Sequence, residues 1–237
     1  MSGNEKTAPE VREAKRQKTL EELCPFDDVL FRCMIKDNYP LASRIIRTVL
    51  RDPNLVIVSL KTQVDMKRLA GSRSLCLDVV TVTVPPGTEV TFPIGDTVPP
   101  SGTLQNLEVE GSVDNANPYR ARYHSSVLDV ENLKSGQDFK ELPTTWVIFI
   151  TKEDYFGDGK AYYRVERAVF NENAKSTKKL FDDHAHILYI NGAYDKETGR
   201  YADIARLMRD FHTTDPDAMH FPEMADTMRR FKRTEGG

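Results

Sequence analysis

The sequence predicts an α/β protein with a mixed central β-sheet flanked by helices. Strand-like segments, either mostly apolar or with alternating apolar and polar residues, recur at 55–60, 75–84, 104–110 and 144–151. Helix-like segments, with apolar residues at spacings of three and four, lie before, between and after these strands. The resulting order of helices, strand meander, crossover helix and central strand is typical of a mixed sheet with helices packed on it.

The composition predicts a soluble globular protein. The chain has 237 residues, of which 39% are hydrophobic and 29% charged, enough for a sizeable core. No run of about 18 apolar residues occurs, so no membrane partner is expected. The polar N-terminus and three cysteines without metal-type spacing predict a cytoplasmic protein with reduced thiols. The net charge of −3 argues against a dedicated DNA-coating protein.

The chain divides into three parts. Residues 1–22 form a polar lead-in that is helical or disordered, residues 23–195 the main domain, and residues 196–237 a C-terminal helical extension. Two proline-containing turns bound an inserted hairpin excursion at about 85–103, with a short strand expected at 88–94.

The first helices follow from their start and stop signals. A helix at 26–34 has Asp27 or Asp28 near its N-terminus, where acids are favoured. Pro40 opens a second helix, whose apolar residues recur at helical spacing over 41–50. The strand at 55–60 comes next.

A crossover helix follows the acidic strand at 104–110. Asn117 is a favoured N-cap, and Pro118 suits the first helical position. The apolar spacing predicts one buried stripe, formed by Tyr119, Tyr123, Val127 and Val130. The apolar run 144–151 then predicts a central strand covered on both faces and joined to 104–110 by a parallel crossover.

The last part of the main domain predicts two further strands, at 162–170 and 187–191. Two helices, at 201–211 and roughly 222–232, then close the chain. Basic stretches at 12–18 and 228–233 are expected to be solvated helix faces rather than a nucleic-acid patch.

Three acids on two of these strands form the candidate site. Glu108 and Glu110 lie two residues apart and share one face of their strand. Asp78 stands among apolar residues on the preceding strand, where a buried acid needs a partner. If the strands pair, the three carboxylates converge and favour a bound Mg²⁺ or Mn²⁺. The alternative is ordinary period-two alternation on a half-exposed strand.

The crossover helix adds basic groups near these acids. Arg120 and His124 lie four residues apart and share a face, and Arg122 lies on a neighbouring face. An arginine beside a metal–carboxylate site would hold a phosphate bidentately, so Arg120, Arg122 and His124 are the candidate phosphate or DNA contacts. The alternative is an amphipathic helix whose arginines pair with surface acids. A zinc site at His184 and His186 is disfavoured because no partner cluster accompanies the pair.

Five motifs resemble one family over most of the chain. They are FDDVLF at 26–31, VSLKTQVDMKRLAGSRSLCLDV at 58–79, NLEVE at 106–110, PYRARYHSSVLDVENLKSGQDFKELPTTWVIFIT at 118–151 and HILYINGAY at 186–194. They are similar to those of the PD-(D/E)XK nuclease family transposases, also called recombination-promoting nucleases. The long stretch after residue 118 carries the most specific part of the resemblance.

The resemblance implies a restriction-endonuclease-like core and a metal-dependent DNA endonuclease acting in transposition or recombination. It implies that Asp78, Glu108 and the backbone carbonyl of Val109 bind Mg²⁺ or Mn²⁺. Asp28, on the first helix, is the best-placed accessory acid, although N-capping is its favoured role. The implied partners are DNA and, as a candidate, a second copy of the chain in a homodimer.

Two features depart from the family pattern. Glu110 stands where the superfamily has Lys and these transposase-like proteins have Gln, and the insertion between Asp78 and Glu108 is unusually long. Glu110 would act as a third ligand or would position water, but it supplies no hydrogen-bond donor. A second hypothesis is therefore a catalytically weak or inactive nuclease-fold protein that binds DNA or protein.

Overall fold

The computed structural model describes residues 19–66, 75–90, 98–99, 101–171 and 178–233. It confirms the predicted mixed α/β class, with a six-stranded sheet of parallel and antiparallel strands flanked by helices. The helices are α1 (Asp28–Ile35), α2 (Tyr39–Leu50), α3 (Pro118–Asn132), α4 (Ala202–His212) and α5 (Pro222–Arg233). The strands are β1 (Val56–Met66), β2 (Leu75–Val84), β3 (Thr103–Glu110), β4 (Thr144–Thr151), β5 (Tyr162–Val165), β6 (Ala168–Phe170), β7 (Lys178–Leu180) and β8 (Ala185–Asn191).

The main sheet has the strand order β1-β2-β3-β4-β8-β5. Its first three strands form an antiparallel meander, whereas β3, β4 and β8 run parallel. The predicted parallel crossover from β3 through α3 to β4 is therefore confirmed. Strand β5 adds antiparallel to β8 at the edge, and β6 and β7 pair as a separate two-stranded sheet.

Strand β4 is the centre of the structure, as its apolar run predicts. Val147, Ile148, Phe149 and Ile150 are all fully buried. Val147 and Phe149 join a core with α3, while Ile148 and Ile150 join a larger core with α1, α2, α4 and α5. Since alternate residues of a strand face opposite ways, helices cover the sheet on both sides.

Strand β2 breaks its alternation close to Asp78. Leu77 and Val80 belong to the core on the α3 side, whereas Val79 belongs to the opposite core. Residues two apart share a face in a regular strand, so the side changes locally between Leu77 and Val79, although β1 and β2 keep one register across this point. Asp78, which lies between them, has its Oδ1 3.9 Å from Arg32 Nη2 on α1.

A buried polar contact joins β2 and β3 further along. Gln105 accepts a hydrogen bond from the Thr81 hydroxyl at 2.8 Å and donates one to the Thr83 hydroxyl at 2.7 Å. All three side chains are buried. The amide thus has two partners on one neighbouring strand, which satisfies it inside the core.

The predicted buried stripe on α3 is wrong. Tyr119 is 75% exposed and Val130 is 61% exposed, although Val127 is buried. The buried face consists instead of Ala121, His124, Ser125, Val127 and Leu128. The helix packs chiefly on β4 and β8, while His124 on this face contacts the buried Asn106 and Glu108 of β3, so apolar periodicity does not mark the face.

Two other expectations need correction. The strand predicted at 162–170 is two strands, β5 and β6, which belong to different sheets. In the excursion, residues 88–90 form no strand, and 91–94 lie outside the described residues. Both bounding turns are present, closed by the Thr88 N–H bond to the Pro85 carbonyl and the Gly102 N–H bond to the Pro99 carbonyl.

The remaining sequence predictions concern membrane-spanning helices, cysteines and basic stretches. None of the described helices is long and apolar enough to cross a membrane. Cys24, Cys33 and Cys76 are free thiols. In the C-terminal basic stretch Arg229 pairs with Asp217 and Asp226, as expected for a solvated helix face, whereas the stretch 12–18 lies outside the described residues.

Candidate functional site

The three predicted acids meet at the carboxyl end of β3, beside a cleft of about 340 Å³. We call this the acid cleft; its lining includes Asp28, Arg32, Asp78, Val109, Glu110 and Arg120. Elements α1, β2, β3 and α3 each contribute to it. Glu108 lies directly behind the lining, bonded to Arg120. Asp78 and Glu110 therefore lie in one cleft with Asp28, and the buried Glu108 lies beside it.

Asp78 has the most perturbed acidity of the cluster. Its side chain is 15% exposed, and its nearest guanidinium nitrogen, Arg32 Nη2, lies 3.9 Å from Oδ1. Burial, followed by the negative charges of Glu108, Asp28 and Glu110, raises the pKa of Asp78 from 3.8 to about 7 despite Arg32. The cluster therefore contains more negative charge than its arginines neutralise.

Glu108 is fully buried but well partnered. Its Oε2 accepts a hydrogen bond from Arg120 Nη2 at 2.8 Å, and its Oε1 lies 3.4 Å from His124 Nδ1. The Asp78 backbone N–H also donates to Oε1, at 3.3 Å. These contacts tie the carboxylate to β2 and α3 together.

Glu110 sits nearer the mouth of the cleft. Its carboxylate pairs with Arg120 Nη1, and its side chain is 7% exposed. Burial raises its pKa above the ordinary value, with Arg120 opposing and Glu108 adding to the rise. The same guanidinium therefore serves Glu108 and Glu110.

Arg120 is placed by the start of α3, as the sequence predicts. Asn117 caps the helix by accepting from the Arg120 N–H at 3.0 Å, and Pro118 is the first helical residue. Arg120 Nε donates to His124 Nε2 at 3.3 Å, so the two residues share a face as expected. Arg122 does not join them; its guanidinium lies 5.8 Å from the centre of the exposed Tyr119 ring.

Asp28 lies in the cleft but is not the N-cap of α1. Asp27 is the N-cap residue, and Asp28 is the first residue of the helix itself. The Asp28 carboxylate forms an ion pair with Arg32, one turn later on α1. Asp28 thus lines the acid cleft together with Asp78, whereas the prediction that it caps the helix is wrong.

Arginine is the resident counter-ion of the acid cleft. Among the described residues no group of three or more His, Cys, Asp or Glu side chains is arranged to hold a metal ion. The Arg120 guanidinium bridges Glu108 and Glu110 instead. The donors still fit a hard cation chemically, since they are all oxygen atoms. To bind a cation, Glu108 would first have to give up its contact with Arg120.

Two participants were missed from sequence. Arg32 belongs to α1, far from the acids along the chain, and its spacing from Asp28 was the available signal. Asn106 is fully buried one pleat from Glu108, with its Nδ2 2.9 Å from His124 Nδ1. A polar residue at every second position of β3 marks the face that packs on α3.

The histidine pair at 184 and 186 does not form a metal site in the described structure. His184 has a left-handed backbone, with φ 59°. The His186 ring lies 4.4 Å from that of Trp146, and burial lowers its pKa. Packing on a tryptophan explains this residue without zinc.

Searches of protein-family models, of curated proteins and of solved structures found no match to the chain. The acid cleft is therefore the feature of the chain that points to a function.

Proposed function

We propose that the protein is a Mg²⁺- or Mn²⁺-dependent DNA endonuclease of the PD-(D/E)XK type that acts in transposition or recombination. One observation supports the proposal: Asp78 lines one cleft with Asp28 and Glu110, beside the buried Glu108, and burial together with these negative charges raises its pKa to about 7. Four carboxylates face two arginines, Arg32 and Arg120. A divalent cation would supply the missing positive charge.

The ligands would be the Asp78 and Glu108 carboxylates and the Val109 carbonyl. When bound, the cation would lower the pKa of a water molecule and neutralise charge on the scissile phosphate. A restriction-endonuclease-like arrangement of the sheet and its helices belongs to the same proposal.

The chain's own residues would act on water and phosphate. Glu110 lines the cleft and has a raised pKa, so it is suited to accept a proton from the attacking water. Arg120, once it leaves Glu108, presents a planar guanidinium that matches two phosphate oxygens. His124 holds Arg120 from behind through Nε2, and the exposed Arg122 would contact the DNA backbone outside the cleft.

Plasmid cleavage tests the proposal directly. Supercoiled plasmid is incubated with Mn²⁺ and wild type, Asp78→Asn, Glu108→Gln or the control Asp226→Asn, an exposed acid on α5. We expect nicking by wild type and the control, and at least about a hundredfold loss in the cleft variants, as for a lost metal ligand. Equal residual cleavage by wild type and Glu108→Gln would disprove catalysis by this site.

A second candidate is a nuclease-fold protein that binds DNA or protein without cutting. The bridge from Arg120 to Glu108 and Glu110 favours it, because that bridge neutralises both acids without a metal. Calorimetric titration with Mn²⁺ separates the candidates. Saturable binding that disappears in Asp78→Asn supports the nuclease, whereas no binding by wild type supports the second candidate. Cytoplasmic location and homodimer formation stay predictions.

A further inference from the structure

A second cleft, unrelated to the acids, lies between α2, the start of α4 and the start of α5. Its volume is about 790 Å³. Four arginines line it, namely Arg44, Arg47, Arg51 and Arg200. Two acids, Asp203 and Glu223, also line it. We call it the arginine cleft.

Both acids of this cleft are already paired. Arg44 binds Glu223 through two parallel contacts, Nε to Oε2 at 3.1 Å and Nη2 to Oε1 at 2.9 Å. Asp203 pairs with Arg206, which lies one turn later on α4, at 3.0 Å. Against the opposing effect of burial, the Arg44 hydrogen bonds and the charges of Arg44 and Arg47 lower the pKa of Glu223. Arg51 and Arg200 are thus left without a carboxylate of the cleft to compensate them.

Arg47, Arg51 and Arg200 have no carboxylate partner in the described part of the chain. Arg47 uses Nε to donate to the Leu55 carbonyl at 2.7 Å, which fixes the side chain and leaves its terminal nitrogens for a ligand. Three positive charges thus share one concave surface. Such a concentration of guanidinium groups attracts an anion strongly.

Tyr201 holds two of these groups in place. The guanidinium carbons of Arg51 and Arg200 lie 5.0 Å and 5.2 Å from the centre of its ring. The ring itself stacks on Tyr162 at 5.9 Å. Contact with an aromatic face orients a guanidinium but leaves its N–H edges free to donate.

The backbone at Arg51 is unusual for its side chain. Arg51 ends α2 with φ 58°, in the left-handed region. Glycine or asparagine normally occupies this position because a Cβ atom is disfavoured there. An arginine at this position, aimed at Tyr201, is explained by use of its charge.

We propose that the arginine cleft binds a small, multiply charged phosphate compound, such as a polyphosphate or a nucleoside triphosphate. Arginine forks match phosphate oxygens in pairs, and three free guanidinium groups suit several phosphates. The volume falls within the range of about 300–1,000 Å³ common for small-molecule pockets. Arg47 and Arg51 come from α2 and its C-terminal end, Arg200 comes from the turn before α4, and all three line one concave cleft, whereas a DNA-binding surface carries its charge along a groove. This inference does not depend on the proposed nuclease activity.

Titration of the full chain with inorganic tripolyphosphate tests the proposal. We expect one saturable site in wild type. In the double variant Arg51→Gln, Arg200→Gln the binding should be about a hundredfold weaker, because each charged hydrogen-bond donor removed should cost about tenfold. The matched control is Arg229→Gln, which removes one arginine from α5 outside the cleft and should bind as wild type does. Circular dichroism checks that each variant is folded.

A gain of binding gives a test that misfolding cannot imitate. Glu223→Gln removes one negative charge from the cleft and releases Arg44 from its two contacts. Tripolyphosphate should then bind several-fold more tightly than to wild type. Unchanged or weaker binding in this variant would overturn the proposal.

Duplex DNA provides the remaining comparison. A 20-base-pair duplex is titrated against wild type and the double variant, with tripolyphosphate as competitor. The proposal predicts that the double variant loses tripolyphosphate binding far more than DNA binding. If wild type shows no saturable tripolyphosphate site, or if the double variant loses DNA binding alone, the cleft is not a small-phosphate site.

Discussion

The acid cleft and the arginine cleft place the same side chain in opposite situations. In the acid cleft Arg120 contacts Glu108 and Glu110, so arginine is the counter-ion that carboxylates require. In the arginine cleft Arg51 and Arg200 contact an aromatic ring and no carboxylate of the described chain. Each region keeps unbalanced charge, negative in one and positive in the other. The comparison indicates a cationic ligand for the first and an anionic ligand for the second.

The two clefts also differ in burial, which sets how much their charges affect stability. Glu108 is fully buried, whereas Arg51 and Arg200 are exposed. Breaking a desolvated ion pair leaves a charge without water or partner, but exposed arginines remain hydrated. Substitutions in the acid cleft should therefore change folding stability, and those in the arginine cleft should mainly change binding.

At a fixed pH, the largest loss of stability is expected from Arg120→Met. This substitution leaves the buried Glu108 without its guanidinium partner, so the free energy of unfolding should fall by about 3 kcal/mol. Urea denaturation measures the change. Arg122→Met, on the exposed side of the same helix, is the control and should cost no more than about 0.5 kcal/mol. Similar losses in both variants would show that the acid cleft does not depend on internal pairing.

Metal addition should give the next largest effect. Mn²⁺ at about a hundred times its dissociation constant should stabilise wild type by about 2.7 kcal/mol, because ligand binds the folded state alone. EDTA should reverse the gain, and Asp78→Asn should not show it. If Mn²⁺ stabilised Asp78→Asn by the same amount, the metal would bind outside the acid cleft. The two clefts would then no longer differ in binding a cation and an anion.

The pH dependence of stability reports on Asp78 without metal. Because its pKa rises from 3.8 to about 7 on folding, the native state keeps a proton that the unfolded chain has lost. The contribution of Asp78 to stability is thus present below about pH 4 and decreases up to about pH 7, by at most about 1.4 kcal/mol per pH unit. In EDTA, the free energy of unfolding of Asp78→Asn should therefore rise relative to that of wild type as pH increases over this range. Above about pH 7 the difference should stay constant. Equal slopes for the two proteins would contradict the raised pKa.

The smallest effect is expected at Arg51. Arg51→Gly relieves the left-handed backbone strain in the folded state but makes the unfolded chain more flexible. The free energy of unfolding should therefore rise by less than about 1 kcal/mol. Arg51→Ala lacks that relief and should be less stable than Arg51→Gly. Thermal melts compare the two variants, and both should bind tripolyphosphate more weakly than wild type. If both bind it as wild type does, Arg51 serves the helix end alone.

Short-range sequence signals predicted the sheet well. The apolar run of β4, the cap at Asn117 and the acids of β2 and β3 each follow from local patterning, and the structure has them where expected. The parallel crossover follows because a helix separates β3 from β4.

The missing parts depended on contacts between distant segments. Tyr119 and Val130 fit the apolar spacing of a buried stripe, but α3 turns another face to the sheet, on which His124 contacts the buried polar side chains of Asn106 and Glu108. The bridge from Arg120 to both Glu108 and Glu110 depends on where the start of α3 lies relative to β3, which residue spacing does not encode. The approach of Arg32 to Asp78 likewise depends on how α1 packs beside β2.

The Gln105 amide has a consequence for how this protein can evolve. A slip of one residue between β2 and β3 would turn Gln105 to the opposite face and separate it from both threonine hydroxyls. The amide therefore fixes the register of β2 and β3 between the excursion at about 85–103 and the acids. Insertions or deletions at the hairpin tip can accumulate while the offset between Asp78 and Glu108 is preserved.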